Sequence, residues 1–241
     1  KFLKELLKKK IETIEENLNK VPIRERSISD CIIGVKKTKN KKIFKKIEEK
    51  IFEQKEFNEI LMSFFSNKKP KLVHFNIHVN RSDDIYVFKH DDDDIFDDDM
   101  NFFHVDTNLN TLKAMVYLTD VSSEKNGGFE YVIGSQNLFS YKDFIIRKII
   151  RRIGAYRRDE KGKNILMSLF PFMRKSNDFS DYDKSSKLCC YIKSKKRLFA
   201  GKDNVIIFDP LGIHRGGRVK EGKRIALQLV FCVDNYSWRM I

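Results

Sequence analysis

Cysteine is scarce in this chain of 241 residues, and its four cysteines form no framework. They are Cys31, Cys189, Cys190 and Cys232, and only the adjacent pair is close in sequence. Adjacent cysteines seldom bridge each other, and no zinc-type spacing is present. No apolar run approaches the ~20 residues that span a bilayer, and no secretory signal is visible. These absences fit a reducing compartment, and we expect a cytoplasmic protein without a transmembrane segment.

Negative charge is outnumbered, since Lys and Arg total 48 while Asp and Glu total 34, for a net charge of +14. Such an excess suggests an acidic partner, such as nucleic acid, a phosphorylated or nucleotide-linked metabolite, or an anionic membrane surface. It does not choose among them. Hydrophobic residues make up 41% of the chain and include 20 Phe. Wholesale disorder is therefore excluded, because a chain of this size can bury a substantial core.

Residues 1–70 are predicted to form a helical N-terminal part. Apolar residues recur there at spacings of three and four, which is the period of an amphipathic helix. The first set is Leu3, Leu6, Leu7, Ile11, Ile14 and Leu18. The second is Phe44, Ile47, Ile51, Ile60, Leu61, Phe64 and Phe65. Pro22 follows the first set, as is common after the end of a helix.

From residue 71 the apolar period changes to two, which indicates β-strands. In the strand predicted at 72–79, His74, Asn76 and His78 form a polar face. We expect this face to meet solvent at the edge of a sheet. Further strands are predicted at 102–106, 111–118, 129–133, 204–209 and 224–233.

No internal repeat or linker divides the sequence, so we predict a single domain over residues 1–241. Its β core would comprise residues 71–136 and 200–235. Residues 137–199 would form an inserted lid, because a long irregular connection in a compact domain is usually functional. The first part of this insert, residues 137–158, is predicted to be a strongly basic helix.

Two local features have simpler interpretations. The acidic run 91–99 lacks the Gly and Glu positions of a calcium loop, and we interpret it as a solvated loop next to a surface residue, His90. Asn126, Gly127 and Gly128 predict a hairpin turn, because Asn and Gly accept positive φ at little cost.

The chemistry of the chain centres on His104, Asp106 and His214. Residues i and i+2 of a strand point to the same face, so His104 and Asp106 can reach one metal ion. His214 follows a predicted strand and the turn at Pro210. Two imidazoles and one carboxylate leave positions open for a bidentate co-substrate and O₂, which suits Fe(II). A zinc hydrolase with the same ligands is disfavoured, because no Glu lies next to a ligand as a general base.

Arg224 is the candidate anchor for an anionic co-substrate. On the strand predicted at 224–233 it shares a face with Ala226, Gln228 and Val230, while an apolar face alternates with them. A guanidinium can grip a carboxylate with two hydrogen bonds. The candidate metal ligands His104, Asp106 and His214 are thus followed along the chain by a candidate carboxylate anchor, Arg224, and all four lie on or next to predicted strands.

Two segments carry a resemblance to a known family. One runs from His104-Val-Asp through Leu112-Lys-Ala-Met-Val-Tyr-Leu-Thr-Asp-Val to Asn126-Gly-Gly-Phe-Glu-Tyr-Val-Ile-Gly-Ser135, and the other from Val205-Ile-Ile-Phe-Asp-Pro-Leu-Gly-Ile-His214 to Arg224-Ile-Ala-Leu-Gln228. Together they cover about a third of the chain, and they resemble the phytanoyl-CoA dioxygenase-like family of Fe(II)/2-oxoglutarate oxygenases.

The resemblance implies a fold, a metal site and two co-substrates. The fold would be mainly β with flanking helices: a double-stranded β-helix, or jelly roll, with the N-terminal helices packed on its larger sheet. His104, Asp106 and His214 would bind Fe(II), and Arg224 would bind the distal carboxylate of 2-oxoglutarate. O₂ would be the second co-substrate. Because halogenases of this kind lack the carboxylate ligand, the presence of Asp106 favours hydroxylation.

The chain departs from the family pattern at two positions. Gln136 follows Gly134-Ser135 where members often have His, which implies changed surroundings of the metal ligands. Counted from the Asn-Gly turn, Val116 takes the place of an aromatic residue that often lies near the co-substrate.

We therefore predict an Fe(II)/2-oxoglutarate-dependent dioxygenase that hydroxylates a small anionic metabolite and releases succinate and CO₂. The metabolite could be a carbohydrate, a nucleotide-linked intermediate or a secondary metabolite. Two alternatives stay open: an oxygenase acting on nucleic acid, and a non-catalytic binding protein on the same fold. No zinc-finger, homeodomain or RNA-recognition pattern supports nucleic acid as a partner. The sequence does not indicate an oligomeric state.

Overall fold

The computed structural model describes residues 2–23, 28–37, 40–83, 103–106, 110–137, 194–202 and 204–233. Three helices occupy the N-terminal part: α1 (Phe2–Lys20), α2 (Lys41–Phe52) and α3 (Lys55–Phe64). The predicted apolar positions of α1 and α2 are largely buried, and the fully buried ones include Leu7, Ile14, Leu18, Phe44 and Ile47. In the second predicted set, Ile60 and Phe64 are exposed instead.

Within the described ranges, eight strands form two antiparallel sheets. The strands are β1 (Ile32–Lys36), β2 (Lys71–Arg81), β3 (Thr111–Tyr117), β4 (Phe129–Tyr131), β5 (Lys196–Leu198), β6 (Val205–Phe208), β7 (His214–Gly216) and β8 (Lys223–Cys232). The order in the larger sheet is β1-β2-β8-β3-β6, and the order in the smaller sheet is β5-β4-β7. The prediction of a mainly β protein with flanking helices is confirmed at this level.

The helices pack on one face of the larger sheet. Strand β8 alternates as predicted, and its residues Ile225, Leu227, Leu229 and Phe231 lie in one core cluster with buried residues of all three helices. The Phe57 and Phe231 rings, for example, lie 5.7 Å apart. Burial of this kind is the main driving force for folding. It leaves the opposite face of β8, with Arg224, for the space between the two sheets.

The two sheets meet through a second and smaller apolar cluster. On the larger sheet it contains Met115, Tyr117, Phe208 and Ala226, and on the smaller sheet it contains Phe129. Polar residues on the same inner face of β2, β3 and β8 are therefore enclosed between the sheets, and they surround the candidate site.

The prediction that β2 is a solvent-facing edge strand is wrong. Strand β1 pairs with its outer side, from Ile32 opposite His78 to Lys36 opposite His74, while β8 pairs with its other side. Strand β1 was missed within the helical part because it is short and contains Gly34. A Cβ at Gly34 would lie 3.2 Å from the His74 ring, so the glycine allows close packing of the β2 side chains.

The predicted hairpin at Asn126-Gly127-Gly128 is also wrong, although the turn exists. Gly127 has φ of +72° after a short 3-10 helix at Glu124–Asn126. Strand β3 pairs with β6 and β8, whereas β4 pairs with β5 and β7. The turn therefore carries the chain from one sheet to the other, and the local sequence cannot distinguish this crossing from a hairpin.

Several predictions concern residues outside the described ranges. These are the acidic run 91–99 with His90, the adjacent cysteines Cys189 and Cys190, and most of the proposed lid, residues 138–193. The predicted strand at 102–106 is described from residue 103, and it contributes one bridge, between His104 and His214. Among the described residues, no helix has the length and apolar character that crossing a membrane requires.

Candidate metal site

The segment holding His104 and Asp106 lies beside β7. His104 and His214 exchange backbone hydrogen bonds, with N–O distances of 3.0 and 2.9 Å, and the amide of Asp106 donates to the carbonyl of Pro210 at 2.9 Å. Phe103 and Val105 are fully buried. Because neighbouring residues of an extended segment alternate in direction, these two residues turn His104 and Asp106 to one common side.

The three side chains converge on a small volume. One ligand atom from each of His104, Asp106 and His214 lies within 4.8 Å of the others. Asp106 Oδ1 is 4.0 Å from His104 Nε2, and Asp106 Oδ2 is 3.5 Å from His214 Nε2. The His214 Nε2 atom is buried without a hydrogen-bond partner among the described residues. A buried nitrogen in this state costs free energy unless it binds something, and a metal ion fits that requirement.

The orientation of His214 is fixed from behind. Its Nδ1 donates a hydrogen bond of 2.8 Å to the Gly212 carbonyl, which leaves Nε2 as the lone-pair atom that faces Asp106. This arrangement is typical of histidine ligands to metals. Ser135 supports the same backbone: its Oγ accepts from the Ile213 amide at 2.7 Å and donates to the Val132 carbonyl at 2.6 Å.

Aromatic rings enclose His214 on the inner side of the smaller sheet. The centroids of the Phe208, Phe129 and Tyr131 rings lie 5.0, 5.7 and 6.4 Å from its imidazole. The Tyr131 hydroxyl is fixed by a 3.0 Å hydrogen bond to the Asp209 carbonyl. These rings limit the access of water to the Nε2 atom, which strengthens electrostatic interactions there.

Lys113 adds a positive charge that the sequence analysis did not single out. Its Nζ lies 2.6 Å from Asp106 Oδ2, and its side chain is only 9% exposed. Burial alone would raise the pKa of Asp106, but the charge of Lys113 and the nearby imidazoles hold this pKa well below its usual value. The signal in the sequence was a lysine within an otherwise apolar strand, β3.

Arg224 is buried at one end of the inner face of β8. Its guanidinium donates to the carbonyls of Gly127 and Gly217 and, at 2.9 Å, to Asn80 Oδ1. A Cβ at Gly216 would lie 2.9 Å from Arg224 Nη2, so glycine makes room for the guanidinium. The structure thus brings the three candidate ligands together, while the described contacts of Arg224 are with backbone carbonyls and Asn80.

The polar face of β2 lines the interior rather than solvent. Asn76 Nδ2 donates to Gln228 Oε1 at 3.1 Å, and His78 Nε2 is buried with no hydrogen-bond partner among the described residues. Burial, followed by the charges of Arg224 and Lys113, lowers the pKa of His78 to about 3. The imidazole is therefore neutral at physiological pH and lies within the electrostatic reach of both cations.

Val116 and Arg215 lie away from the interior. Val116 belongs to the core beneath the helices, whereas Tyr117 faces the space between the sheets, where its hydroxyl accepts a hydrogen bond of 2.8 Å from the Phe129 amide. Val116 therefore does not face the interior, where the count from the Asn-Gly turn placed it, because neighbouring residues of a strand point to opposite faces. Arg215 is buried on the outer face of β7, where its Nε donates to Glu130 at 2.6 Å.

Comparisons with known proteins give remote structural similarity only. No protein-family profile and no curated protein sequence matches the chain. Similar solved structures include AviO1 from Streptomyces viridochromogenes, with 10% identity over 76% of this chain and 58% of that one, and a TM-score of 0.40. HygX from Streptomyces hygroscopicus, with nickel and 2-oxoglutarate bound, has 14% identity over 92% of this chain and 77% of that one, and a TM-score of 0.44. SnoK, a non-heme alpha ketoglutarate dependent carbocyclase from nogalamycin biosynthesis, has 15% identity over 90% of this chain and 70% of that one, and a TM-score of 0.45.

The chain spans less than two thirds of AviO1 and 32% of EvdMO1, another similar structure. Shared architecture at this distance does not define a function, which has to be argued from the side chains of the site itself.

Proposed function

We propose that this chain is an Fe(II)/2-oxoglutarate-dependent dioxygenase that hydroxylates a small molecule. The observation that carries the proposal is the convergence of His104, Asp106 and His214 on one small volume, where the buried His214 Nε2 has no hydrogen-bond partner among the residues that the structure describes. Two imidazoles and one carboxylate on one side of a metal are the ligand set of non-heme Fe(II) oxygenases. Among the remotely similar structures, that of HygX has nickel and 2-oxoglutarate bound, and SnoK is a non-heme alpha ketoglutarate dependent carbocyclase.

We propose further that the fold is a double-stranded β-helix of the phytanoyl-CoA dioxygenase-like kind. The path of the chain supports this fold. It passes from β2 in the larger sheet to the His104 bridge beside the smaller sheet, back to β3, and then to β4 and β5. It returns to the larger sheet in β6 and then crosses twice more, in β7 and β8. Repeated crossing between two antiparallel sheets is the connectivity of a jelly roll.

In this proposal the chain holds and shields the reacting groups. His104, Asp106 and His214 bind the iron, and Arg224 binds the distal carboxylate of 2-oxoglutarate. The chemistry that iron supplies with 2-oxoglutarate and O₂ is the formation of succinate and CO₂, coupled to hydroxylation of a substrate C–H bond. The aromatic rings around His214 keep water from the site, which limits side reactions.

The substrate is proposed to be a small anionic metabolite. The net charge of +14 supports an anionic partner, and the two buried cations Lys113 and Arg224 give the interior a positive potential. Nucleic acid as a substrate and a purely binding role are the two competing functions.

The test is the release of succinate from 2-oxoglutarate in the presence of Fe(II), ascorbate and O₂. We expect His104→Ala and Asp106→Ala to abolish this release and Ni(II) binding while the circular dichroism spectrum of the folded protein is retained. Asp106→Ala should also lower the free energy of unfolding, because it removes the counter-charge of Lys113. Asp120→Ala is the matched control, because this carboxylate is exposed and, among the described residues, accepts a hydrogen bond only from the Lys202 amide, at 2.7 Å. Normal turnover in both ligand variants would show that the assignment is wrong.

The same assay separates the competing functions. A protein that binds Fe(II) and 2-oxoglutarate but releases no succinate with any candidate metabolite belongs to the binding class. A steep loss of DNA or RNA affinity with added salt would favour a nucleic-acid substrate, since phosphate contacts release counterions. Turnover of a small molecule that is insensitive to salt favours the proposed metabolite.

A further inference from the structure

Lys113 occupies an unusual place for a lysine. It lies on the inner face of β3 opposite Val230 of β8, it is 7% exposed, and its Nζ lies 2.6 Å from Asp106 Oδ2. A buried ammonium needs a counter-charge, and in this structure Asp106 supplies it. The same carboxylate is the anionic member of the candidate metal site. The Asp106 carboxylate is therefore both the counter-charge of Lys113 and a candidate ligand of a metal ion.

The two cations cannot share Asp106 without cost. A divalent ion between His104, Asp106 and His214 would lie within a few ångströms of the Lys113 ammonium, and like charges in an enclosed site repel each other strongly. Binding of the metal alone is therefore opposed by Lys113. Binding of the metal together with an anion is not opposed, because the anion offers Lys113 a new counter-charge.

In the proposed function, the co-substrate 2-oxoglutarate provides such an anion. Arg224 lies six residues before Val230 on β8, and backbone carbonyls hold its guanidinium at that distant end. A diacid that bound Arg224 with one carboxylate would offer its other carboxylate to the metal ion and to Lys113. The Lys113 side chain is long and flexible, so it can move from one acid group to the other.

We propose that Lys113 couples the binding of the metal to the binding of 2-oxoglutarate, by transferring its ammonium from Asp106 to the metal-side carboxylate of the co-substrate. Lys113 is then a positioning and binding residue that disfavours a metal-loaded site without co-substrate. This inference rests on the proposed function. Thermodynamic linkage requires the effect to be reciprocal, so Lys113 also strengthens the binding of 2-oxoglutarate to the loaded protein.

The experiment measures two affinities by calorimetry under anaerobic conditions: that of Ni(II) for the free protein, and that of 2-oxoglutarate for the Ni(II)-loaded protein. Lys113→Met, which keeps an unbranched side chain of similar length and removes the charge, is expected to bind Ni(II) about ten-fold more tightly. It is expected to bind 2-oxoglutarate about ten-fold more weakly. Arg197→Met is the matched control, because it removes a cation on the outer face of the smaller sheet, where Arg197 pairs with Glu130.

The opposite signs of the two changes are the decisive readout. A role of Lys113 in folding alone would weaken both affinities together, and that result would overturn the inference, as would two unchanged affinities. If Lys113→Met does not fold, Lys113→Gln retains a hydrogen-bond donor and answers the same question. A wild-type protein that binds neither Ni(II) nor 2-oxoglutarate contradicts the proposed function instead, so the two failures are distinguishable.

Discussion

The partly buried His78, whose Nε2 atom is enclosed, predicts a specific loss of stability in mild acid. Burial, with Arg224 and Lys113 nearby, lowers its pKa to about 3 in the folded protein, whereas an unfolded chain has a histidine pKa near 6.5. Below pH 6.5 the unfolded chain takes up a proton that the folded protein does not bind. The stabilising contribution is therefore complete above pH 6.5 and is lost as the pH falls from 6.5 towards 3.

The size of this loss follows from the gap between the two pKa values. Each pH unit between 6.5 and 3 costs about 1.4 kcal/mol, so the change from pH 7.5 to 4.5 removes about 2.7 kcal/mol of unfolding free energy. His78→Gln and His78→Phe cannot titrate. We expect both variants to lack this part of the pH dependence, although their absolute stabilities will differ.

Urea denaturation of the metal-free protein at pH 7.5 and 4.5, with a chelator present, measures the effect. Other groups that titrate over this range contribute equally to the wild type and the variants, so the difference between their pH slopes reports His78. Equal slopes in all three proteins would refute the reasoning, and would mean that the imidazole takes up its proton in the folded state without penalty.

Three further substitutions test other parts of the structure. Glu130→Gln leaves two arginines without their buried counter-charge and should cost about 3–5 kcal/mol in urea denaturation, whereas Glu124→Gln at the exposed end of the network should cost under about 1 kcal/mol. Ser135→Ala leaves the buried Ile213 amide without its acceptor, so the free energy of unfolding should fall by about 1–3 kcal/mol. The affinity for Ni(II) should fall about ten-fold, and an unchanged Ni(II) affinity would contradict the proposal that Ser135 supports His214. Leu227→Ala should cost about 2–5 kcal/mol without changing Ni(II) affinity in the folded protein.

The spacing of apolar residues was sufficient to predict the helices and strands that bury one face in the core and leave the other face outside it. The apolar positions of α1 and the alternating faces of β8 follow directly from spacing, because each element packs a single face against the same core. The common direction of His104 and Asp106 follows from the same rule. Their meeting with His214 depends on pairing between remote segments, and only the resemblance to a family indicated it.

The predictions that were wrong depended on tertiary pairing. Strand β1 exists because β2 offers it a partner, and its own short sequence with Gly34 gives little signal. The turn at Gly127 has the right local chemistry, yet the strands on either side belong to different sheets. Lys113 shows the same limit, since no pattern within β3 reveals that a carboxylate from another segment neutralises it.

The bridge between His104 and His214 also has a consequence for the stability of the fold. The two residues are about 110 positions apart in the chain, so an ion held by both would close a long loop in the manner of a cross-link. A cross-link of this kind restricts the unfolded ensemble, and an ion that binds only the native state adds its own mass-action stabilisation. The centre proposed for chemistry would therefore also resist thermal melting, and the melting temperature would rise with the concentration of free metal.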